Sequence, residues 1–486
     1  GVLELEGTQT TQSISTMDTN SGVVEYNGAA GGTVRLGSFH DLRINSGGNT
    51  FNLNFNPTAV AQDVLLDAGI LGTNGNDLDV ERHIDASAGG TGNLAASAGE
   101  VINVGGDFIP DGFTAASSQV VMDTASDPVD LAGLTFYDLQ IAKADSGDTV
   151  NSLAGLTVTN TLTLTSGEWV PGANTHLVAG TWDSSSGSFA FTEAGSTIRL
   201  TSGNPGVTTK GLADAFENLR LDGGGTLGSD VAVTGVLTHE SATAISGVGQ
   251  TLQADGASLG ADMSFSGAGT ITFTGAGTVS LTGDSSLTTS DGTVTFDNPV
   301  DGANGLTVDA GGAGTVNVDA VLGPALTSVS LTGGTINLGA NISSADGPIG
   351  FSGAVVLTAH TTVDSGAGAG DIGFSSTVDD DTTGPWNLTA SAGTGAVSFG
   401  GVVGTGAASA NRPGDLTVGG TGGTTLGGAV YLQGGLTVSS GTLTSNGNAI
   451  DIAGTLTGGG SVDAGASTIN VGGSMTVTGF AAGTST

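Results

Sequence analysis

The sequence predicts an all-β solenoid, and three observations carry that expectation. A short phrase, glycine followed by Thr or Ser alternating with an apolar residue, keeps returning: Gly269-Thr-Ile-Thr-Phe273, Gly277-Thr-Val-Ser-Leu281, Gly292-Thr-Val-Thr-Phe296, Gly314-Thr-Val-Asn-Val318 and Gly334-Thr-Ile-Asn-Leu338. Units this short bury no apolar face alone and must stack on their neighbours. Among 486 residues there are 88 Gly but only 10 Pro, with no three-residue glycine period, and 37% of the chain is hydrophobic; collagen and disorder both fit badly. Aromatics at 5% point to a slender core layered from Val, Leu, Ile and Ala.

A longer repeat begins nearer the start. Phe39-His-Asp-Leu42-Arg-Ile44, Phe136-Tyr-Asp-Leu139-Gln-Ile141 and Phe216-Glu-Asn-Leu219-Arg-Leu221 share the form Phe-x-[Asp/Asn]-Leu-x-[Ile/Leu]. In an unbroken strand the Phe would face away from the Leu and Ile, so a bend must intervene if all three are buried. Asp or Asn before the Leu is a residue type that tolerates one. Ala213-Asp-Ala-Phe-Glu-Asn-Leu-Arg220 by itself also reads as a short amphipathic helix, but its two sister copies do not, which favours a strand. Companion phrases, Ile102-Asn-Val-Gly-Gly-Asp-Phe108 and Ile469-Asn-Val-Gly-Gly-Ser-Met475, bring the early module back at the other end. The repeat styles divide the chain into 1–227 with the longer modules, 228–427 with a uniform Gly/Thr/Val array, and 428–486 where the module returns. These are seams within one solenoid, without a flexible linker.

Eight basic residues face 45 acidic ones, a formal net charge of −37. Arg35, Arg43, Arg82, Lys143, Arg199, Lys210 and Arg220 precede residue 221, and Arg412 alone follows. Such a surface repels phosphate backbones and anionic membranes, which excludes nucleic acid as a partner. The acids are spread thinly and read as a solvated exterior. There is no cysteine, hence neither disulfides nor thiolate metal sites. No stretch is apolar enough for a transmembrane helix, and an opening inside a strand-like alternation, Gly1-Val-Leu-Glu-Leu-Glu6, reads as a processed or excised piece of something longer.

Gly353-Ala-Val-Val-Leu-Thr358, Gly368-Ala-Gly-Asp-Ile-Gly-Phe374, Gly393-Thr-Gly-Ala-Val-Ser-Phe399 and Gly414-Asp-Leu-Thr-Val418 resemble the repeats of large bacterial surface proteins similar to filamentous haemagglutinin. Residues 1–227 and 428–486 resemble the Leu-Thr-Leu-Thr and Ile-Asn-Val-Gly-Gly modules of giant extracellular repeat proteins. The resemblance implies a right-handed parallel β-helix, export to the extracellular space or cell surface, and a role in adhesion, a fibre or a matrix. A secretion-recognition domain and a membrane barrel, which that class carries, are not recognisable here.

In a parallel solenoid of roughly 20 to 25 residues per turn, on the order of 20 turns would form an elongated rod roughly 100 Å long. Its two open edges would each present unpaired N–H and C=O groups that must be capped or mated. Val2, Leu3 and Leu5 at one end and Met475 and Val477 at the other are the candidate joining residues. The expected partners are copies of the same chain head to tail or adjoining segments of a longer chain, with a host or matrix surface beyond them.

The densest carboxylate cluster is Asp379-Asp380-Asp381. It is a weak candidate for Ca²⁺, since neighbouring carboxylates on a strand point to opposite faces and need a turn to converge; a solvated loop is the competing reading. No cofactor is otherwise implied. His40, His83, His176, His239 and His360 show no ligand spacing. Trp169 and Trp182 could form a sugar platform, but their apolar strand positions favour packing. Parallel β-helices also carry polysaccharide lyases and glycoside hydrolases, but no carboxylate pair is marked out by its surroundings and only one basic residue lies beyond Arg220. The sequence therefore reads as a non-enzymatic, extracellular structural protein, a filament subunit or the stalk of a large adhesin. The alternative is a carbohydrate-binding or polysaccharide-degrading β-helix.

Overall fold

The computed structural model describes residues 1–9, 19–86, 89–123, 127–192, 195–405 and 410–483. Every regular element among them is a strand, and the strands stack in parallel as a β-solenoid of about 22 turns, or roughly 22 residues per turn. Among the described residues no helix is long and apolar enough to cross a membrane. The chain divides into two compact units, Gly1–Ala232 and Val233–Thr486.

In the first unit, alternation along each strand and pairing between turns place one inward column in register: Leu3, Val24, Leu42, Val64, Ile84, Phe108 and Leu131. From Val24 onward every member is buried. Side chains of period two fill such a column because each strand turns alternate residues inward. Trp169, Trp182, Phe191 and Phe216 form one aromatic cluster, with ring centroids 4.9–6.1 Å apart. Trp169 and Trp182 are 0% and 1% exposed, so both serve packing and neither is a sugar platform. Each indole N–H has its partner inside: Trp169 donates to Ser152 Oγ (2.8 Å), and Trp182 to Ser184 Oγ (3.0 Å), whose own hydroxyl donates to Asp214 (2.6 Å).

The Phe-x-[Asp/Asn]-Leu motif is buried at all three apolar positions in all three copies. The chain bends at His40 and at Glu217, and carries a register shift between Phe136 and Asp138. The break thus falls one residue before the Asp or Asn. That residue instead binds a neighbouring turn: Asp41 Oδ1 accepts the Asp63 N–H (3.2 Å), Asp138 Oδ1 accepts the Thr161 N–H (2.9 Å), and Asn218 Nδ2 donates to the Ser196 carbonyl (3.2 Å). Ala213–Arg220 is no helix; Asn218–Leu221 is a strand, as the sister copies imply.

In the second unit the repeated phrase becomes a stack. Ile271, Val294, Val316, Ile336 and Val355 form one buried column, and the Thr or Asn between inward residues stands on the outer face. Phe351, Phe374 and Phe399 lie over one another with centroids 4.7 and 4.9 Å apart and planes within 6° and 2° of parallel. Gly347 allows the chain to press against the preceding turn, where a Cβ would overlap the Thr327 carbonyl oxygen.

Many carboxylates are not merely solvated. Where the chain turns a corner the backbone ladder is interrupted, and an N–H left without an acceptor is costly. Polar side chains of the preceding turn take its place. In the first unit Asp41, Asp63, His83 and Asp107 each accept an N–H from the next turn, those of Asp63, His83, Asp107 and Asp130. In the second, His360 Nδ1 accepts from Asn387 (3.0 Å), Asn387 from Asp415 (2.8 Å), and Asp415 from Gly435 (2.6 Å). Such carboxylates recur along both units, as Asp262, Asp284, Asp301, Asp346 and Asp371 also show.

Asp138 tests this role, since it also accepts the Asn160 amide (2.7 Å). Asp138→Ala is expected to lower stability by about 1–3 kcal/mol. Asp111→Ala, at an exposed residue whose side chain has no protein partner among the described residues, should stay within about 0.5 kcal/mol of the parent. Urea unfolding midpoints of the two variants make the comparison.

Candidate functional site

The candidate joining residues lie on edge strands. Val2–Leu5 pairs with Val23–Tyr26, and among the described residues it pairs with no other strand. Val23 and Asn27 donate to the Gly1 and Leu5 carbonyls (both 3.0 Å), so by strand alternation the backbone groups of Val2 and Glu4 turn to the open edge. Leu3 and Leu5 stand in the inward columns, opposite Val24 and Tyr26, whereas Val2 sits opposite Val23 on the outer face. Leu3 is 41% exposed despite its inward register, because no described residue covers it from the open side.

At the far edge of the second unit, Met475–Ala481 pairs with Leu456–Asp463 and, among the described residues, with no other strand. Met475 continues the Leu456 column and Val477 stands beside Gly458. Met475 is 49% exposed and Val477 half-buried. Phe480, opposite Val462, is a third uncovered inward residue, at 41%. Sequence reasoning passed over it because Thr-Gly-Phe-Ala lacks the repeat phrase; its register with Val462 is what marks it.

Asp379, Asp380 and Asp381 do not converge on one point. Asp379 faces outward and accepts the Thr405 hydroxyl (2.7 Å). Asp380 turns inward, is 1% exposed, and uses Oδ2 to accept the Trp386 N–H (3.2 Å), while its buried Oδ1 has no partner among the described residues. Asp381 organises its own loop, accepting from the Thr383 and Gly384 N–H groups (2.8 and 3.1 Å) and the Trp386 indole (2.9 Å). Hydrogen bonds from Thr383, and then from Trp386 and Gly384, hold the Asp381 carboxyl below its ordinary range. Burial dominates at Asp380 and, with the Asp381 charge beside it, pushes its pKa up to about 6. Among the described residues no three His, Asp or Glu side chains gather as metal ligands.

Arg412, Lys143 and His176 are engaged in structure. Arg412 pairs with Asp451 (3.1 Å) and lies over the Tyr431 ring at 5.2 Å. Lys143 is 1% exposed and donates to the carbonyls of Gly105 (3.1 Å) and Asp123 (2.7 Å), tying three turns together. Burial lowers its pKa even though Asp148, Asp123 and other carboxylates oppose the shift. His176 is buried, accepts the Leu156 N–H at Nδ1 (3.3 Å) and meets the Pro171 carbonyl at Nε2 (3.0 Å), which requires the neutral ring.

A raised carboxyl pKa makes the folded state bind its proton more tightly than the unfolded chain does. The Asp380 contribution therefore favours folding below the unfolded value of 3.8, and is lost as pH rises through about 6. Asp380→Asn is expected to raise stability at pH 7.5 by on the order of 2–3 kcal/mol and to change it little at pH 3.5. Thermal unfolding of both proteins at the two pH values checks the sign. Comparison with family models, curated proteins and solved structures finds no match to this chain.

Proposed function

We propose that this chain is a non-enzymatic structural protein acting outside the cell or on its surface, as a filament subunit or as the stalk of a large adhesin of the filamentous-haemagglutinin kind. The observation that carries the reading is the pair of edge strands. Among the described residues Val2–Leu5 and Met475–Ala481 each pair on one side only, and each leaves inward apolar side chains partly exposed. Joining such edges, to another copy or to adjoining segments of a longer chain, satisfies the backbone groups and covers Leu3, Met475 and Phe480 in one step. The partner beyond the solenoid is a host or matrix surface.

The β-solenoid fold suits a mechanical role, because every turn is held to the next by backbone bonds and by the corner side chains described above. The non-enzymatic reading draws on the engagement of the basic groups: Arg412 is committed to Asp451 and Tyr431, and Lys143 to two carbonyls. The resemblance of residues 353–418 to haemagglutinin repeats supports the extracellular setting.

Light scattering and electron microscopy over a concentration series test assembly. The parent chain should form end-to-end particles that lengthen with concentration. Met475→Lys with Phe480→Lys should weaken that association at least about tenfold, equivalent to about 1.4 kcal/mol. Uniform monomers of the parent at high concentration would remove the edge-joining role.

A further inference from the structure

Asn followed by Gly occurs four times, at Asn27-Gly28, Asn74-Gly75, Asn304-Gly305 and Asn446-Gly447. In such a pair the glycine has no side chain to shield its N–H from the amide of the Asn before it. Two of the four are held by their surroundings. Asn304 Nδ2 donates to the Leu281 carbonyl (2.8 Å), while the Gly305 N–H is itself engaged by Asp284 Oδ1 (2.7 Å). Asn27 Nδ2 donates to Glu4 (3.3 Å), and Gly28 is buried so closely that a Cβ would overlap the Glu6 carbonyl oxygen.

The other two form a matched pair. Asn74-Gly75 and Asn446-Gly447 are each the centre of a tight corner with positive φ at both residues, 56° and 82° in one and 52° and 85° in the other, the pattern of a type I′ turn. One backbone bond closes each corner: Asn76 N–H to the Thr73 carbonyl (3.1 Å), and Asn448 N–H to the Ser445 carbonyl (2.9 Å). The Asn after the glycine anchors both corners to the preceding turn, Asn76 through the Leu53 carbonyl (3.0 Å) and Asn448 through that of Leu426 (2.9 Å). The difference lies in the first Asn. Asn446 Nδ2 donates to the Leu426 carbonyl (3.1 Å), whereas neither the Asn74 amide nor the Gly75 N–H has a partner among the described residues. Asn74 and Gly75 are both exposed, and nothing lies within 4 Å of where a Gly75 Cβ would stand.

We propose that Asn74 is a self-modifying site, whose amide is lost without an enzyme and replaced by aspartate and isoaspartate. The Gly75 backbone nitrogen attacks Asn74 Cγ, its proton passes to the departing amide nitrogen, and ammonia leaves as the Cγ–Nδ2 bond breaks. Water then opens the cyclic imide. Its hydroxyl adds to Cγ to give aspartate, or to the main-chain carbonyl carbon to give isoaspartate, and its remaining proton returns to the Gly75 nitrogen. The corner must open for the ring to close, which breaks one backbone bond at Asn74 but that bond and the Leu426 tie at Asn446. One hydrogen bond of ordinary net strength is worth about fivefold in such a rate. Conversion adds a carboxylate at a corner of an already acidic chain, while Leu71 and Leu78 on either side remain fully buried in the stack. The site stands whether or not the edges join.

The full chain incubated in neutral buffer and sampled over time tests the site, by proteolysis with fragmentation mass spectrometry and by enzymatic methylation of isoaspartate. Asn74 should gain about 1 Da at least about fivefold faster than Asn446, faster also than Asn27 and Asn304, and should carry the methyl label. In concentrated urea, where the ties are absent, the four Asn should convert at similar rates. No conversion at Asn74, or native rates equal at Asn74 and Asn446, would overturn the proposal. An equal lead for Asn74 in urea would do the same, since the local sequence and not the free amide would then set the rate.

Discussion

The constraint on which the structure depends is register between consecutive turns. Each turn hydrogen-bonds to the next in parallel, so whatever stands at one position is repeated about 4.8 Å further along. Like therefore meets like. For apolar residues the repetition is favourable, as in the stacked rings of Phe351, Phe374 and Phe399 or the aliphatic column from Ile271 to Val355. For charged residues it is not. Asp319 follows Asp297 by one turn, and its carboxyl is pushed up by burial first and then by Asp297; Asp85 is raised by burial and then by Asp107.

An acidic chain tolerates this because its carboxylates do work that a neutral surface could not do as well. At corners the ladder lapses, and an Asp of one turn accepts the stranded N–H of the next, a charge-assisted bond stronger than a neutral one. Asn and His substitute at particular turns, as Asn387 and His360 do, and each relieves one like-charge contact. The balance is sensitive to ionic strength, because the repulsion between exposed carboxylates is screened by salt while short bonds to backbone N–H groups are screened much less.

Much of the fold was legible because its main signal is local. Thr-Ile-Thr-Phe and its relatives state which side chains point inward, and their recurrence states that turns stack. Trp169 and Trp182 were readable as core from their strand positions. The corner roles were not readable, since an Asp accepting an N–H from a residue some twenty positions away looks the same in sequence as one facing water. Lys143, between two alanines and near Asp145, gives no sign that it reaches two turns back into the interior. Within Asp379-Asp380-Asp381 the sequence marked the density of charge, but only the direction of each strand residue separates the inward Asp380 from its outward neighbour.

Because the chain contains no cysteine, register can be read chemically without background. Thr270 and Thr293 are partners on adjacent turns, and Thr315 is the partner of Thr293 one turn further. Mild oxidation of a Thr270→Cys, Thr293→Cys double variant should close an intramolecular disulfide, the spacing of paired strands lying within the reach of that bond, and a Thr270→Cys, Thr315→Cys variant should not. A disulfide in the second variant but not the first would contradict the stacking of turns on which every other conclusion rests.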